Sequence, residues 1–228
     1  MGTMLKAGCR IALLLLLGST ALGLVPLPAR LNASFFGLFG GKQQPPPGWI
    51  LHKQTVSLSK TDLAAAERPC ANWSWVAGIT DMAFAAGAHI EQQYLVDRLY
   101  GGSVCLPSPG DIGDLAQRIS HDYVLEDGQK FRLEAQFSSG APTQADPLIL
   151  ALRQDRPPML LWRERVYLLT GMSYDEYIAP TGNKMFMVTE LKLFDPAAEE
   201  GKHEASFLRE RDDPNDLNGW VTVTVYPK

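Results

Sequence analysis

The sequence has 228 residues and a formal net charge of −4 at pH 7, with a pI near 5.6. A nucleic-acid-binding protein would need a basic face, and this charge balance gives no reason to expect one. The roughly 180 residues after the N-terminal region are enough for one hydrophobic core of ordinary size.

The first 33 residues have the pattern of an export signal. Lys6 and Arg10 precede a nearly unbroken apolar run from Ile11 to Val25. That run is too short for a confident membrane span and has the length of a signal h-region. We therefore expect residues 1–33 to be a signal peptide or a membrane-tethering segment. Cys9 precedes the apolar run, which disfavours a lipoprotein.

This pattern predicts a periplasmic or extracellular protein that contacts a membrane only if the N-terminal segment stays uncleaved. Residues 34–48 contain Gly40-Gly41 and three consecutive prolines ending at Pro47. Such composition is typical of an extended linker. Residues 49–228 are then expected to form a single globular domain.

Two cysteines, Cys70 and Cys105, remain after the predicted signal segment. An oxidising compartment favours their pairing in a disulfide. The alternative is that both are buried as free thiols.

Helical periodicity recurs in the first half of the domain. Asn72 is a good N-cap for a helix that ends at Gly87. Further helices are predicted over 91–100, 112–120 and 146–152, and a short helical turn over 61–66.

Alternating patterns dominate the second half. Asp127-Gly128 is a two-residue turn signal between strands 123–125 and 131–137. Other strands are predicted over 49–58, 158–162, 166–171, 185–194 and 220–226. Helices followed by antiparallel strands predict an α+β fold with the helices on one side of the sheet.

The segment Cys70-Ala71-Asn72-Trp73-Ser74-Trp75-Val76-Ala77 resembles the start of the central helix in the papain-like cysteine peptidases of bacteria, including the C39-like group. Further similarity covers 91–101, 153–160 with 166–171, and Leu193-Phe194-Asp195-Pro196. The resemblance implies a papain-like fold, with N-terminal helices that include a central helix packed on a C-terminal antiparallel sheet.

The resemblance also implies a degenerate catalytic site. Ser74 stands where the family has its nucleophilic cysteine, Arg165 where it has histidine, and Asp195 at the third position. The oxyanion glutamine would fall on Arg68. A serine hydroxyl needs a general base, and a guanidinium group stays protonated at any working pH. We therefore expect Arg165 and Asp195 to form an ion pair without catalytic function.

Each of these residues also has an ordinary structural interpretation. Ser74 near a helix start is typical of a capping residue, and Arg165 of a solvent-facing strand residue. Trp73 and Trp75 are candidates for a binding groove, although aromatic residues there are more often core. A loop over 174–182, with Tyr174 and Tyr177, is a candidate for ligand contact above the cleft.

No cofactor or metal site is expected. His52, His89, His121 and His203 lack metal-ligand spacing. The acidic stretch over 199–216 is interpreted as a solvated loop.

Together these observations predict an exported, catalytically inactive papain-like protein that binds a peptide, protein or cell-envelope ligand in the remnant cleft. One alternative is a hydrolase that uses Ser74 with a base such as Glu164, His89 or His121. Another is a structural envelope protein.

Overall fold

The structure, a computed structural model, describes residues 47–59, 63, 69–107, 112–125, 127–142, 144–163, 165–196, 198 and 203–228. The predicted signal segment and Cys9 lie outside the described residues, as do Arg68, Glu164 and all but Leu63 of the helical turn predicted over 61–66. Of the predicted linker, only Pro47 and Gly48 are described.

Within the described residues the chain forms four α-helices and eight β-strands, and the predicted α+β class is confirmed. The helices are α1 (Ser74–Ala85), α2 (Gln92–Tyr100), α3 (Ile112–Ile119) and α4 (Asp146–Arg153). The strands are β1 (Ile50–Ser57), β2 (Asp122–Val124), β3 (Lys130–Ser139), β4 (Met159–Trp162), β5 (Arg165–Ile178), β6 (Lys184–Phe194), β7 (Glu204–Leu208) and β8 (Leu217–Pro227).

All strands pair in an antiparallel manner in one sheet of order β2-β3-β8-β4-β5-β6-β7. The long strand β5 pairs with β4 through its first residues and with β1 through residues 171–178 along the same side. Strands β4 and β1 therefore lie one after the other along β5. The edge of β1 that faces away from β5 has no strand partner among the described residues.

Each face of the sheet covers its own hydrophobic core. Helices α1, α2 and α3 pack on one face, where Val166 and Leu168 of β5 point. Tyr167 and Leu169 point to the other face, which α4 covers. The expectation that all helices lie on one side is therefore wrong for α4. Val56 and Leu58 pack beside α4 in the second core.

The central helix α1 approaches the sheet closely at Gly78. A Cβ atom at this position would lie 3.0 Å from the sulfur of Met159 and 3.2 Å from Cγ1 of Val166. Residues 75–83 of this helix are all buried. The small residue at position 78 allows the helix to bury nearly its whole circumference between the sheet and α2.

The predicted start of α1 is wrong by one residue. Trp73 occupies the N-cap position, and no side chain caps the helix. Asn72 instead donates a hydrogen bond from Nδ2 to the carbonyl oxygen of Cys105, at 3.2 Å. The predicted Cys70–Cys105 disulfide is present, with a Cα–Cα distance of 5.7 Å.

Two predictions for the C-terminal half are also wrong. Strand β5 continues through Ile178, so Tyr174 and Tyr177 belong to a strand, and the connection to β6 is limited to 179–183. The acidic stretch contains β7 and a 3-10 turn at Pro214–Asp216. Asp212 is buried and pairs with Arg163 and Arg211, so it is not part of a solvated loop.

Over the described part of the chain, none of the helices combines the length and the apolar character that crossing a bilayer requires.

Replacing Gly219 with alanine should destabilise the sheet. Gly219 lies in β8 between β3 and β4, and a Cβ there would lie 2.5 Å from Cε2 of Phe137 and 3.0 Å from the carbonyl oxygen of Ser138. The resulting overpacking should lower the free energy of unfolding by about 1 to 3 kcal/mol, measured by urea denaturation. Gly102→Ala, where a Cβ meets no atom within 4 Å, is the matched control. An equal effect of both changes would contradict this account of β8.

Candidate functional site

Ser74 begins α1 on the side that faces the sheet. It lies four residues before Gly78, the point of closest approach to Met159 and Val166, and residues four apart share one face of a helix. The residue is half-buried. Its hydroxyl forms no hydrogen bond with any described residue and does not cap the helix. The capping interpretation of Ser74 is therefore wrong.

Arg165 and Asp195 form the predicted ion pair. Nη2 of Arg165 lies 2.5 Å from Oδ2 of Asp195. The Arg165 side chain is 55% exposed, whereas that of Asp195 is only 8% exposed. The guanidinium carbon also lies 5.8 Å from the centre of the Tyr167 ring. The pair thus joins the beginning of β5 to the end of β6, with Tyr167 beneath the guanidinium group.

The ion pair lies on the face of the sheet opposite to α1. Successive side chains of a strand point to opposite faces. Val166 contacts α1, so Arg165 and Tyr167 point to the second core. Asp195 likewise follows Leu193, which packs in that second core, by two residues. The structure therefore brings Arg165 and Asp195 together, and Ser74 forms no hydrogen bond with either of them.

Sequence reasoning missed that His203 lies beside Asp195. Nδ1 of His203 is 2.8 Å from the backbone carbonyl oxygen of Asp195, and its ring stacks on that of Phe194 with centres 4.9 Å apart. Because a carbonyl oxygen only accepts hydrogen bonds, Nδ1 carries the proton of this bond. The pairing of β6 with β7 would have placed His203 beside Asp195, but the sequence did not predict β7.

The four aromatic residues proposed to line a cleft are buried. Trp73 and Trp75 are each 3% exposed and pack in the core around α1. Tyr174 and Tyr177 in β5 are both less than a tenth exposed. Trp73 uses its indole N–H to bind the carbonyl oxygen of Val104, at 3.1 Å. Trp73, Trp75 and Tyr174 are part of the hydrophobic cores, as the more frequent interpretation of the two tryptophans expects.

Three buried polar side chains in the first core have unpartnered atoms among the described residues. These are the indole nitrogen of Trp75, Oδ2 of Asp81 and both amide atoms of Gln92. Burial raises the pKa of Asp81 to about 8, because a carboxylate is poorly solvated there. The neutral acid is consequently the form that the core favours at neutral pH.

The other candidate groups that the structure describes lie at the surface. His52, His89 and His121 are exposed. In the described residues, no group of three or more His, Cys, Asp or Glu side chains could hold a metal ion. Two surface cavities, of about 380 and 190 Å³, lie near the β2–β3 turn. Neither is lined by Ser74, Arg165 or Asp195.

Comparisons with known proteins add little to this geometry. The sequence matches no protein-family model and no curated protein. Among solved structures, the crystal structure of UfSP from C. elegans matches with a TM-score of 0.30 and 12% identity, over 81% of this chain and 35% of that chain. This chain thus spans about a third of the protein that it matches. Similarity at that TM-score does not support an argument about fold or activity.

Replacing Asp81 with asparagine should remove a pH dependence of stability. In an unfolded chain the aspartate has its ordinary pKa of 3.8, whereas burial raises the pKa to about 8 in the folded protein. The folded state therefore keeps a proton that the unfolded state loses, so the free energy of unfolding falls as pH rises from about 4 to about 8.

Urea denaturation from about pH 5 to about pH 9 would measure this dependence. Asp81→Asn should flatten it and make the variant more stable than the natural protein at the alkaline end. Asp127→Asn makes the same chemical change in an exposed turn and should leave the profile unchanged. A profile that is identical in the natural protein and Asp81→Asn would contradict the assignment.

Proposed function

We propose that this protein is an exported, catalytically inactive domain of papain-like type that binds a peptide, protein or cell-envelope component. The observation that carries the proposal is the ion pair between Arg165 and Asp195. It occupies the positions where the resemblance places histidine and its partner, and its one carboxylate, that of Asp195, is already bound to a guanidinium group.

The chemistry of the three residues supports the absence of catalysis. A serine hydroxyl is a weak nucleophile unless a base removes its proton during attack. A guanidinium group offers only hydrogen-bond donors, and the Asp195 carboxylate is bound to that of Arg165 at 2.5 Å. Both also point away from the face on which α1 packs, so Ser74 has neither partner within its own face.

The disulfide and the N-terminal sequence support export. Disulfides persist in oxidising compartments, and Cys70 is paired with Cys105. The basic and apolar N-terminal segment has the order of a signal peptide. The proposal therefore places a domain of residues 49–228 in the periplasm or outside the cell, joined to its signal by the linker over 34–48.

The edge of β1 that has no strand partner within the described ranges supports the binding of an extended chain. The amide of Leu58 donates to Thr170 of β5, so by alternation the backbone groups of Leu51, Lys53, Thr55 and Ser57 point away from β5. All four residues are exposed. Unpaired N–H and C=O groups along a strand edge can bind a further strand by β-augmentation.

The absence of catalysis is tested with a fluorophosphonate probe that acylates activated serines. We expect no labelling of Ser74 in the natural protein, because its hydroxyl is hydrogen-bonded to no proton acceptor among the described residues. Ser74→Ala is the control for background labelling. Labelling of the natural protein that Ser74→Ala abolishes would contradict the proposal and establish the rival hydrolase.

The binding of an extended chain is tested by selecting peptides from a random octapeptide library on the full protein. Thr55→Pro removes an outward N–H group and should weaken binding of the selected peptides at least tenfold, as expected for lost strand pairing. Thr55→Ala keeps the N–H group and should bind as the natural protein does. Equal binding by Thr55→Pro, or a failure to select any peptide, would argue against this edge as the binding site.

A further inference from the structure

We propose that the Cys70–Cys105 disulfide is a thiol-exchange site, at which an external thiolate attacks Sγ of Cys105 and displaces Cys70. This inference does not depend on the proposed function. It rests on the unequal surroundings of the two sulfur atoms and on the contacts that hold the segment over 101–107.

The two cysteines differ in access to solvent. Cys70 is 7% exposed and packs in the core around α1. Cys105 lies in an exposed segment that follows α2 and is itself exposed, as is its neighbour Leu106. Thiol–disulfide exchange requires the incoming thiolate to reach one sulfur. The accessible target is therefore Cys105.

The buried sulfur has a hydrogen-bond donor. The backbone N–H of Asn72 lies 3.3 Å from Sγ of Cys70. When the disulfide opens by attack on Cys105, negative charge develops on Cys70, and a hydrogen bond to a charged acceptor is stronger than one to a neutral acceptor. The amide thus stabilises Cys70 as the leaving thiolate, and exchange rates depend on the leaving group.

External thiols are the only co-reactants that this exchange needs. A thiolate RS⁻ forms an RS–S bond to Cys105 while the bond between Cys105 and Cys70 breaks, and Cys70 leaves as a thiolate. A second RS⁻ attacks the mixed disulfide, releasing RSSR and the Cys105 thiolate. Two electrons pass from the external thiols to the protein disulfide, and both cysteines end in the reduced state.

Hydrogen bonds hold the segment beside α1 and α2 independently of the disulfide. In each of these bonds a side chain donates. Trp73 donates to the carbonyl of Val104 at 3.1 Å, Asn72 to that of Cys105 at 3.2 Å, and the Tyr100 hydroxyl to that of Pro107. The Ser103 hydroxyl donates to the Asp97 carboxylate at 2.9 Å. These bonds keep the two thiols adjacent after reduction. Re-formation of the disulfide is then an intramolecular reaction that does not require refolding.

The experiment incubates the full, folded protein with reduced glutathione, stops the exchange with acid, alkylates the free thiols with N-ethylmaleimide after denaturation, and maps the modified peptides by mass spectrometry. Circular dichroism is recorded before the denaturation step. We expect glutathione on Cys105 and N-ethylmaleimide on Cys70 at early times, with unchanged near-ultraviolet circular dichroism. Glutathione mainly on Cys70, or reduction only after denaturation, would overturn the proposal.

A pair of substitutions at Asn72 isolates the contribution of the backbone amide. Asn72→Ala removes only the side-chain bond to Cys105, whereas Asn72→Pro removes the N–H group as well. Exchange should be roughly tenfold to a hundredfold slower in Asn72→Pro than in Asn72→Ala, given the strength of one hydrogen bond to a charged group. Equal rates in two folded variants would show that the amide does not stabilise the leaving thiolate.

Discussion

The close packing of α1 against the sheet at Gly78 is the constraint on which the rest of the structure depends. Met159 and Val166 would lie within 3.2 Å of any Cβ atom at this position, so the helix and the two strands have little freedom to shift or rotate. Val166 is thereby assigned to the α1 face. Because side chains alternate along β5, Arg165 is assigned to the other face.

This assignment separates the residues that a papain-like site would unite. Ser74 lies on the α1 side, and the charged groups at the end of the sheet are engaged with one another on the other side. Arg165 pairs with Asp195, and Arg163 binds Asp212 and Asp216. Asp195 and the side chain of Asp212 are nearly buried. Buried charges require partners of opposite charge. Here one ion pair joins β5 to the end of β6, and the others join the β4–β5 turn to the β7–β8 connection.

Much of the fold could be predicted from the sequence, because the helices show a clear period of 3.6 and Asp127-Gly128 marks a hairpin. Strand β7 could not be predicted, because Phe207 is its one fully buried residue and its sequence does not alternate between apolar and polar side chains. The length of β5 was missed because the pairing with β6 shifts register between Leu169 and Gly171, which interrupts the pattern. The ion pair was predicted correctly. The face of the sheet on which this pair lies was not predicted. Alternation along a strand shows which residues share a face, but one contact with α1 is needed to show which face that is.

We infer that no proton acceptor among the described residues reaches the side chain at position 74. The thiol pKa of Ser74→Cys, measured from the pH dependence of alkylation by iodoacetamide, tests this inference. We expect a pKa between about 6.5 and about 8.5, lowered only by the start of α1, and unchanged by His203→Ala. A pKa near about 4, as in a thiolate–imidazolium pair, that His203→Ala restores to the ordinary range would contradict it.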